Sequence, residues 1–402
     1  MSSQPPLAAS GAQAHEKTHW LGVTTLAGTL GLRMLGLFMV LPVLALYVER
    51  LPGGTALLVG LAMGIYGLTQ AVLQLPMGWL SDRIGRKPVI VAGLLVFAAG
   101  SLLAWQAETA FWLVMGRALQ GAGAISAVVT ALVGDLTAPA LRTRAMALIG
   151  ISIGSAFLLA FIVGPLLASV FGVDGLFLLT ALLATLSIVP LLWLVPDTVP
   201  AARSSDRRKG LRSGLMAGRA VMPEALMALL LHALLTAVFL VVPGLLVERL
   251  GLPVGQHGQV YAPIMLASLL PLGLLMLIQE RLHSRLALGL GVVLLGLALG
   301  LWLLGGNWPV YAGLLCFFGG FNFVEAHLPA RVSLRAEAAT RGAAMGWYST
   351  GQFAGAFVGG LGGGILLQHL DGASLLVAGI LLTVLWLVAL LVGQWRGRQA
   401  DT

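Results

Sequence analysis

Charged residues are scarce in this chain. Asp, Glu, Lys and Arg make up 9% of its 402 residues, whereas 58% are hydrophobic. Soluble globular domains carry about 25% charged residues, so this chain lacks the charge needed to cover a surface that faces water. Its charges fall in short clusters between apolar stretches of about 20 residues, each long enough to cross a membrane as a helix. The composition therefore predicts a helical protein with many membrane spans.

Cysteine and enzymatic motifs are also nearly absent. Cys316 is the single cysteine, which excludes an internal disulfide and a cysteine-rich metal site. The sequence contains no HExxH, no GxSxG and no glycine-rich phosphate loop followed by Lys-Ser/Thr. We therefore expect neither an enzyme nor a bound cofactor or metal. The net charge of +8 is explained by basic cytoplasmic loops rather than by a nucleic-acid partner.

The apolar stretches predict an all-α membrane protein of twelve transmembrane helices in two pseudo-symmetric six-helix bundles. The expected spans are 20–48, 57–80, 88–106, 110–134, 144–171, 174–195, 221–248, 257–279, 285–304, 308–332, 340–368 and 372–395. A basic stretch with six Lys or Arg residues separates spans six and seven. The predicted domains are thus an N-terminal bundle (1–196), a cytoplasmic basic linker (197–219) and a C-terminal bundle (220–402).

The loops differ in charge between the two sides. Nearly all basic loop residues fall on the side that also holds both termini and the linker, whereas Arg50 and Arg249 alone fall on the other. Basic residues accumulate in cytoplasmic loops. We therefore expect a multi-pass protein of the inner membrane with both termini in the cytoplasm, surrounded by lipid and acting as a monomer.

The two halves repeat each other in sequence. Val48-Glu-Arg-Leu51 returns as Val247-Glu-Arg-Leu250, and Asp82-Arg83 returns as Glu280-Arg281. Thr143-Arg144 and Asp174-Gly175 recur as Thr340-Arg341 and Asp371-Gly372. All four shifts lie between 197 and 199 residues. Duplicated halves of this kind enclose a substrate cavity at their interface.

Several segments carry a family resemblance. The stretch Gly78-Trp-Leu-Ser-Asp-Arg-Ile-Gly-Arg-Lys87 resembles the G-x-x-x-D-R-x-G-R-K signature of the major facilitator superfamily at every position. Arg117-Ala-Leu-Gln-Gly-Ala-Gly123 is similar to its fourth-helix motif, and Gly164-Pro165 resembles the fifth-helix motif of drug/proton antiporters. Residues 31–36, 64–70, 321–326 and 345–353 look like the YajR-type subgroup, here without the soluble C-terminal domain that such proteins can carry.

This resemblance implies a conformational latch and a packing motif. The latch residues are Gly78, Asp82, Arg83, Gly85, Arg86, Lys87 and Asp135. Asp82 would face the start of helix eleven, near Gly342, and Arg86 would pair with Asp135. Both contacts would close the cytoplasmic side and break when it opens. Gly164 and Pro165 would serve helix packing. The alternative for the charged turn is a positive loop that only sets topology.

Ionisable residues within membrane spans are functional candidates because they are costly there. Arg33, Arg117 and Glu325 fall inside predicted spans, and Glu325 is expected to be the one deep carboxylate and the proton carrier. A structural pair near Arg331 is the alternative for Glu325. Arg33 either binds an anionic group or serves as a structural counter-ion. For Arg117 the resemblance implies proton coupling, with interhelix hydrogen bonding as the alternative.

Polar residues in the spans are further cavity candidates. They are Gln70, Gln74, Asn322, Tyr348 and Gln352. Interhelix contacts are the alternative for each of these. His232 and His327 are expected to be hydrogen-bonded structural residues, and imidazoles that titrate near neutral pH are the alternative.

The sequence thus favours a secondary transporter that exports small amphipathic or hydrophobic molecules, such as drugs, against proton entry by alternating access. Its partners would be that molecule and the proton. Proton-linked uptake or uniport of a small metabolite is one alternative, and a membrane sensor without transport activity is another.

Overall fold

The structure, a computed structural model, describes residues 18–197, 207–279, 284–337 and 340–400. Every regular element in these ranges is a helix. The N-terminal half contains α1 (Trp20–Met39), α2 (Leu41–Arg50), α3 (Ala56–Ile84), α4 (Arg86–Trp105), α5 (Ala110–Ala122), α6 (Ser126–Asp135), α7 (Arg142–Leu186) and α8 (Ile188–Leu194). The C-terminal half contains α9 (Arg207–Val238), α10 (Val242–Leu250), α11 (His257–Ala267), α12 (Leu269–Gln279), α13 (Ser284–Leu303), α14 (Trp308–Arg335), α15 (Arg341–His369) and α16 (Gly372–Ala400).

The described residues form twelve crossings. Eleven segments are long and apolar enough to span a membrane, and one of them, Pro139–Leu194, has 56 residues. This segment breaks at Gly172, whose φ of 76° is not helical. After the break, the Thr180 hydroxyl donates to the Gly36 carbonyl oxygen of α1. Before the break, Gly164 packs against the same helix at Met39. The chain therefore reverses at Gly172 and crosses twice, which confirms the predicted fold class.

Five crossings that were predicted as single helices are interrupted. The first breaks at Val40, before Pro42, and the seventh breaks at residues 239–241, before Pro243. The fourth breaks around Gly123, the sixth at Ser187 and the eighth at Ser268. Proline removes a helical hydrogen bond and clashes with the preceding turn, which explains the matched breaks in the first and seventh crossings. Hydropathy cannot detect such breaks because the flanking residues remain apolar.

The seventh crossing begins earlier than predicted. Helix α9 starts at Arg207 and runs to Val238, so residues 207–219 of the predicted linker are helical. The segment Glu280–His283, which the sequence repeat equates with the charged turn of the first half, lies outside the described residues.

The two halves touch at one end of the molecule. We call the end that carries the Gly78–Lys87 turn the basic end, and the other the opposite end. At the opposite end α3 and α15 meet through glycines, so that a Cβ atom added at Gly360 would lie 2.5 Å from the Gly60 carbonyl oxygen. A Cβ atom at Gly258 of α11 would likewise lie 2.7 Å from the Ile162 carbonyl oxygen of α7. Close backbone contact therefore seals this end.

The same helices separate toward the basic end. A Cβ atom added to a glycine in their basic-end portions would meet no neighbour within 4 Å; these glycines are Gly78 of α3, Gly150 and Gly154 of α7, Gly273 of α12, and Gly342 and Gly346 of α15. We interpret these open positions, together with the exposed Asp82 side chain of α3, as a cleft between the halves that opens at the basic end. This is one of the two conformations expected of an alternating-access transporter.

An aromatic cluster joins the halves at the closed side of the cleft. Phe157 of α7 stacks on Phe321 of α14, with ring centroids 6.0 Å apart. Phe161 of α7 packs against Phe239, Tyr261 and Phe318 at 5.0–5.8 Å. Buried aromatic pairs contribute beyond the area they bury, so this cluster adds an apolar contact between the halves.

Candidate functional site

Glu325 of α14 faces the cleft between the halves. Gln352 Nε2 donates to Glu325 Oε1 at 2.7 Å, and the Tyr348 hydroxyl donates to Oε2 at 3.5 Å. Tyr348 and Gln352 lie four residues apart on α15, and side chains at this spacing share one helix face. The Glu325 side chain is 32% exposed. The structure therefore brings two predicted cavity residues, Tyr348 and Gln352, to the partly exposed carboxylate of a third, Glu325.

His232 of α9 completes this cluster. Its Nδ1 atom lies 3.0 Å from the Ala228 carbonyl oxygen, and its Nε2 atom lies 3.9 Å from Glu325 Oε2. The ring also packs against Phe321, with centroids 5.9 Å apart. The expected hydrogen bond of His232 is present, but its contact with Glu325 was not predicted, because no sequence spacing links α9 with α14.

Asn322 and His327 form hydrogen-bond contacts with the eighth crossing. Asn322 Nδ2 donates to the Ser268 hydroxyl at 3.1 Å, across to the break between α11 and α12. His327 Nδ1 lies 2.8 Å from Gln279 Oε1. Both contacts tie α14 to the eighth crossing. Asn322 shares a helix with Glu325, but its described hydrogen bond is structural.

Arg33 of α1 is buried in the N-terminal half. Its guanidinium donates to Gln70 Oε1 at 2.9 Å and to the Gly123 carbonyl oxygen at 3.0 Å. It also lies 4.9 Å from the centre of the Phe97 ring. Gln70 in turn donates to Ser126 at 3.3 Å. The break between α5 and α6 thus supplies a free carbonyl for the guanidinium.

Arg117 of α5 is buried beside the aromatic ring of Tyr66. It donates to Gln120 Oε1 at 2.8 Å and to the Ala62 carbonyl oxygen at 3.1 Å. Tyr66 lies between the two arginines, 5.3 Å from Arg117 and 5.8 Å from Arg33, and its ring is 6.2 Å from Phe353.

Within the described residues neither arginine lies within ion-pair distance of a carboxylate. Carbonyl oxygens and aromatic faces therefore stabilise both buried charges. This arrangement does not show the counter-ion role that was one expectation for Arg33. Gln74 is buried as well, and its Oε1 atom has no hydrogen-bond partner.

A fully buried carboxylate lies near the start of the seventh crossing, outside the deep positions to which the prediction for Glu325 applies. Glu224 of α9 is 0% exposed and pairs with Arg331 Nε at 3.2 Å and with Arg335 Nη1 at 2.9 Å. The partners lie four residues apart on α14 and so share one face. Within the described chain, Glu224 rather than Glu325 is the carboxylate in ion-pair contact with Arg331. Glu224 was missed because it lies at the edge of an apolar run, where a carboxylate is expected to face solvent.

The charged turn at the basic end is one residue long. Helix α3 ends at Ile84, Gly85 adopts φ 101°, and α4 begins at Arg86. Glycine suits this backbone because it carries no Cβ atom. Gly78, Asp82 and Arg83 therefore belong to α3, whereas Arg86 and Lys87 form the first turn of α4.

Arg86 connects three parts of the N-terminal half. It contacts Asp82 Oδ1 at 2.6 Å, the Ser81 hydroxyl at 2.6 Å and Asp135 Oδ2 at 3.3 Å. Lys87 Nζ contacts the Leu192 carbonyl oxygen and Asp197, both at 3.1 Å. The Arg86–Asp135 contact is thus present although the basic end is open. The prediction that it breaks on opening is wrong, because both residues belong to the same half.

Asp82 has no described contact with α15 in this conformation. Its side chain is 57% exposed, and Gly342 faces open space. The contact between Asp82 and the start of α15 was expected only with this end closed, so it stays a prediction. Gly164, in contrast, packs α7 onto the break in the first crossing, since a Cβ atom there would lie 2.5 Å from the Met39 carbonyl oxygen. Pro165 beside it is buried.

Two six-helix halves around a one-sided cleft, with ionisable groups facing that cleft, define a helical membrane transporter rather than an enzyme. The sequence matches the family described as Major Facilitator Superfamily over residues 26–360. The chain belongs to this superfamily.

Named relatives are also transporters. The chain is 41% identical over 362 residues to the inner membrane transport protein YajR of Escherichia coli strain K12, covering 89% of this chain and 79% of that protein. It is 32% identical over 369 residues to the multidrug resistance protein MdtH of Aeromonas hydrophila, covering 88% and 89%.

Solved structures share the fold. The human organic anion transporter MFSD10 has a TM-score of 0.66 at 21% identity, covering 93% of this chain and 100% of that one. The nucleoside transporter NupG has a TM-score of 0.70 at 16% identity, covering 92% and 98%. At these identities the likeness concerns the fold alone.

Proposed function

We propose that this protein exports small amphipathic or hydrophobic molecules in exchange for protons across the inner membrane, by alternating access. The observation that carries the proposal is the Glu325 site, a solvent-accessible carboxylate that Gln352 and Tyr348 hold in the cleft. A carboxylate in such a place can bind a proton from one side and release it to the other as the cleft changes sides. The names of the relatives YajR and MdtH support an inner-membrane transporter and a multidrug substrate class.

The charge pattern supports a cytoplasmic orientation of the basic end. The basic end holds Arg83, Arg142, Arg144 and Arg341, all exposed. Basic loops stay in the cytoplasm, so the cleft faces the cytoplasm and both termini lie there. A cytoplasmic molecule would enter the cleft and leave on the other side after the halves rock.

The test uses purified protein in vesicles with an imposed pH gradient and an internal pH dye. We expect an added lipophilic cation or other drug to drive proton flux. Glu325→Gln removes the titratable group and keeps its size, so proton flux should fall to the background of empty vesicles. Cys316→Ala, at a half-buried apolar position away from the cleft cluster, is the matched control and should retain wild-type flux.

Three outcomes would contradict the proposal. Equal proton flux in Glu325→Gln would dismiss this carboxylate as the proton carrier. Compound movement in wild-type vesicles without any proton flux would favour uniport, and no movement of any compound would favour the non-transporting sensor.

A further inference from the structure

The orientation of the His232 ring is fixed by its backbone contact. Nδ1 lies 3.0 Å from the Ala228 carbonyl oxygen, and a carbonyl oxygen only accepts hydrogen bonds. The hydrogen of the neutral imidazole therefore sits on Nδ1, and Nε2 presents a lone pair. Ala228 precedes His232 by one helical turn, so α9 itself sets this tautomer.

The lone pair on Nε2 faces Glu325. The two acceptor atoms, Nε2 and Glu325 Oε2, lie 3.9 Å apart. This is longer than a direct hydrogen bond, and a small side-chain rotation or one bridging water closes the gap. Two acceptors repel each other unless a proton lies between them. The contact is therefore favourable when the pair carries one proton and unfavourable when it carries none.

Glu325 thus has separate partners for its two protonation states. As a carboxylate it accepts hydrogen bonds from Gln352 Nε2 and the Tyr348 hydroxyl, both on α15. As a carboxylic acid its Oε2–H donates to His232 Nε2 on α9. No other charged or titratable group is described within contact of either side chain.

We infer that His232 and Glu325 form one proton-binding pair, in which His232 Nε2 accepts the hydrogen bond from protonated Glu325. This inference rests on the proposed proton-coupled function and adds a second residue to its site. When the pair releases its proton to the cleft water, Glu325 becomes a carboxylate on its α15 donors and His232 stays neutral. One proton leaves and one negative charge remains, so the step balances.

The pair also adjoins the contact between the halves. The His232 ring packs on Phe321, which in turn stacks on Phe157 of the other half. A shift of the imidazole toward or away from Glu325 therefore moves a side chain that the N-terminal half contacts. Through this route proton binding can bias the rocking of the halves.

The test titrates Glu325 directly, without any transported compound. Infrared difference spectra follow the carboxylic-acid C=O band that Glu325→Gln removes. His232→Asn places an amide near the Nδ1 position and lacks the Nε2 acceptor. We expect it to lower the pH midpoint of this band by about one pH unit, the size of one hydrogen bond.

His327→Asn, on the same helix as Glu325 but against Gln279, is the control and should leave the midpoint unchanged. A wild-type midpoint in His232→Asn would overturn the pair. Nitrogen NMR of 15N-histidine-labelled wild-type protein gives a second test, in which His232→Asn serves only to assign the His232 signal. The signal lost in His232→Asn must be that of a ring with hydrogen on Nδ1 alone, and hydrogen on Nε2 in the neutral ring would overturn the inference.

These readouts separate the inference from the proposed function. If no compound drives proton flux but His232→Asn shifts the band, the pair stands and the proton-coupled export fails. If Glu325-dependent flux is observed and the midpoint does not move, export stands and the pair fails.

Discussion

Buried charges in this protein are stabilised in two different ways. Arg33 and Arg117 rely on carbonyl oxygens and aromatic rings, whereas Glu224 relies on Arg331 and Arg335. Removing one member of a fully buried pair costs about 3–5 kcal/mol, because a charge is left without compensation. The two kinds of site therefore respond differently to substitution.

We expect Glu224→Gln to destabilise the C-terminal half. The cost should be about 2 kcal/mol, below the range for fully buried pairs, because Arg335 is 39% exposed and water can solvate it. The measurement is the unfolding temperature of the purified protein in detergent. Glu337→Gln changes an exposed acidic residue two positions after the end of α14 and is the control. Equal unfolding temperatures for both variants would show that the Glu224 cluster adds no stability.

At the scale of helices, glycines set how closely α3 and α15 approach. Gly360 and Gly362 lie two residues apart on α15, yet a Cβ atom at Gly360 would lie 2.5 Å from the Gly60 carbonyl oxygen, whereas one at Gly362 would meet nothing within 4 Å. A backbone carbonyl oxygen cannot move aside for an added methyl group as the end of a flexible side chain can. The opposite end thus stays closed only while residue 360 is glycine.

Gly360→Ala should therefore open the opposite end, and Gly362→Ala should not. Both variants add one methyl group to the same helix, so helix propensity rises equally in each. Accessibility of a cysteine introduced at Val59, which is buried beside the glycine contact, to a membrane-impermeant maleimide, added from the opposite side, measures the opening in a Cys316→Ala background. Equal labelling in the two variants would mean that the glycine contact does not control closure.

The sequence predicted helices better than contacts between helices. Apolar runs and the repeat located twelve crossings, and one-turn spacing correctly grouped Tyr348 with Gln352. The shared site of Glu325 and His232 could not be predicted, because it depends on how α9 and α14 are rotated about their axes. The ion pairs of Glu224 with Arg331 and Arg335 could not be predicted for the same reason. Breaks such as Gly123 were invisible to hydropathy, although the broken backbone supplies a ligand for Arg33.

At the scale of the molecule, the open basic end implies a second conformation that closes it. Asp82 is the residue placed to stabilise that state, since an anion near the start of α15 is favourable by up to about 2 kcal/mol. The turn around Gly85 is rigid within the N-terminal half through Arg86 and Asp135. We expect it to move with that half as a unit.

Asp82→Asn should shift the population toward the open basic end, by about tenfold for a loss of about 1.4 kcal/mol, and slow transport accordingly. Spin labels at Arg144 and Glu337 report on the basic end, and labels at Glu108 and Asn307 report on the opposite end; all four positions are exposed. In the wild-type protein, lowering the pH should change the two distances in opposite directions. Distances that do not respond to pH, compound or Asp82→Asn would contradict rocking of the halves.

The Glu224 cluster also constrains the order of events during synthesis. Glu224 leaves the ribosome 107 residues before Arg331, the first of its two partners. The seventh helix therefore enters the membrane with a carboxylate that has no counter-charge, and an acidic residue within a span opposes insertion. The charge of Glu224 is compensated only after the tenth helix, which carries Arg331 and Arg335, has also been inserted. A nascent chain that stops between these two points should remain bound to the insertion machinery or be degraded, so the C-terminal half is expected to assemble as one unit and not helix by helix.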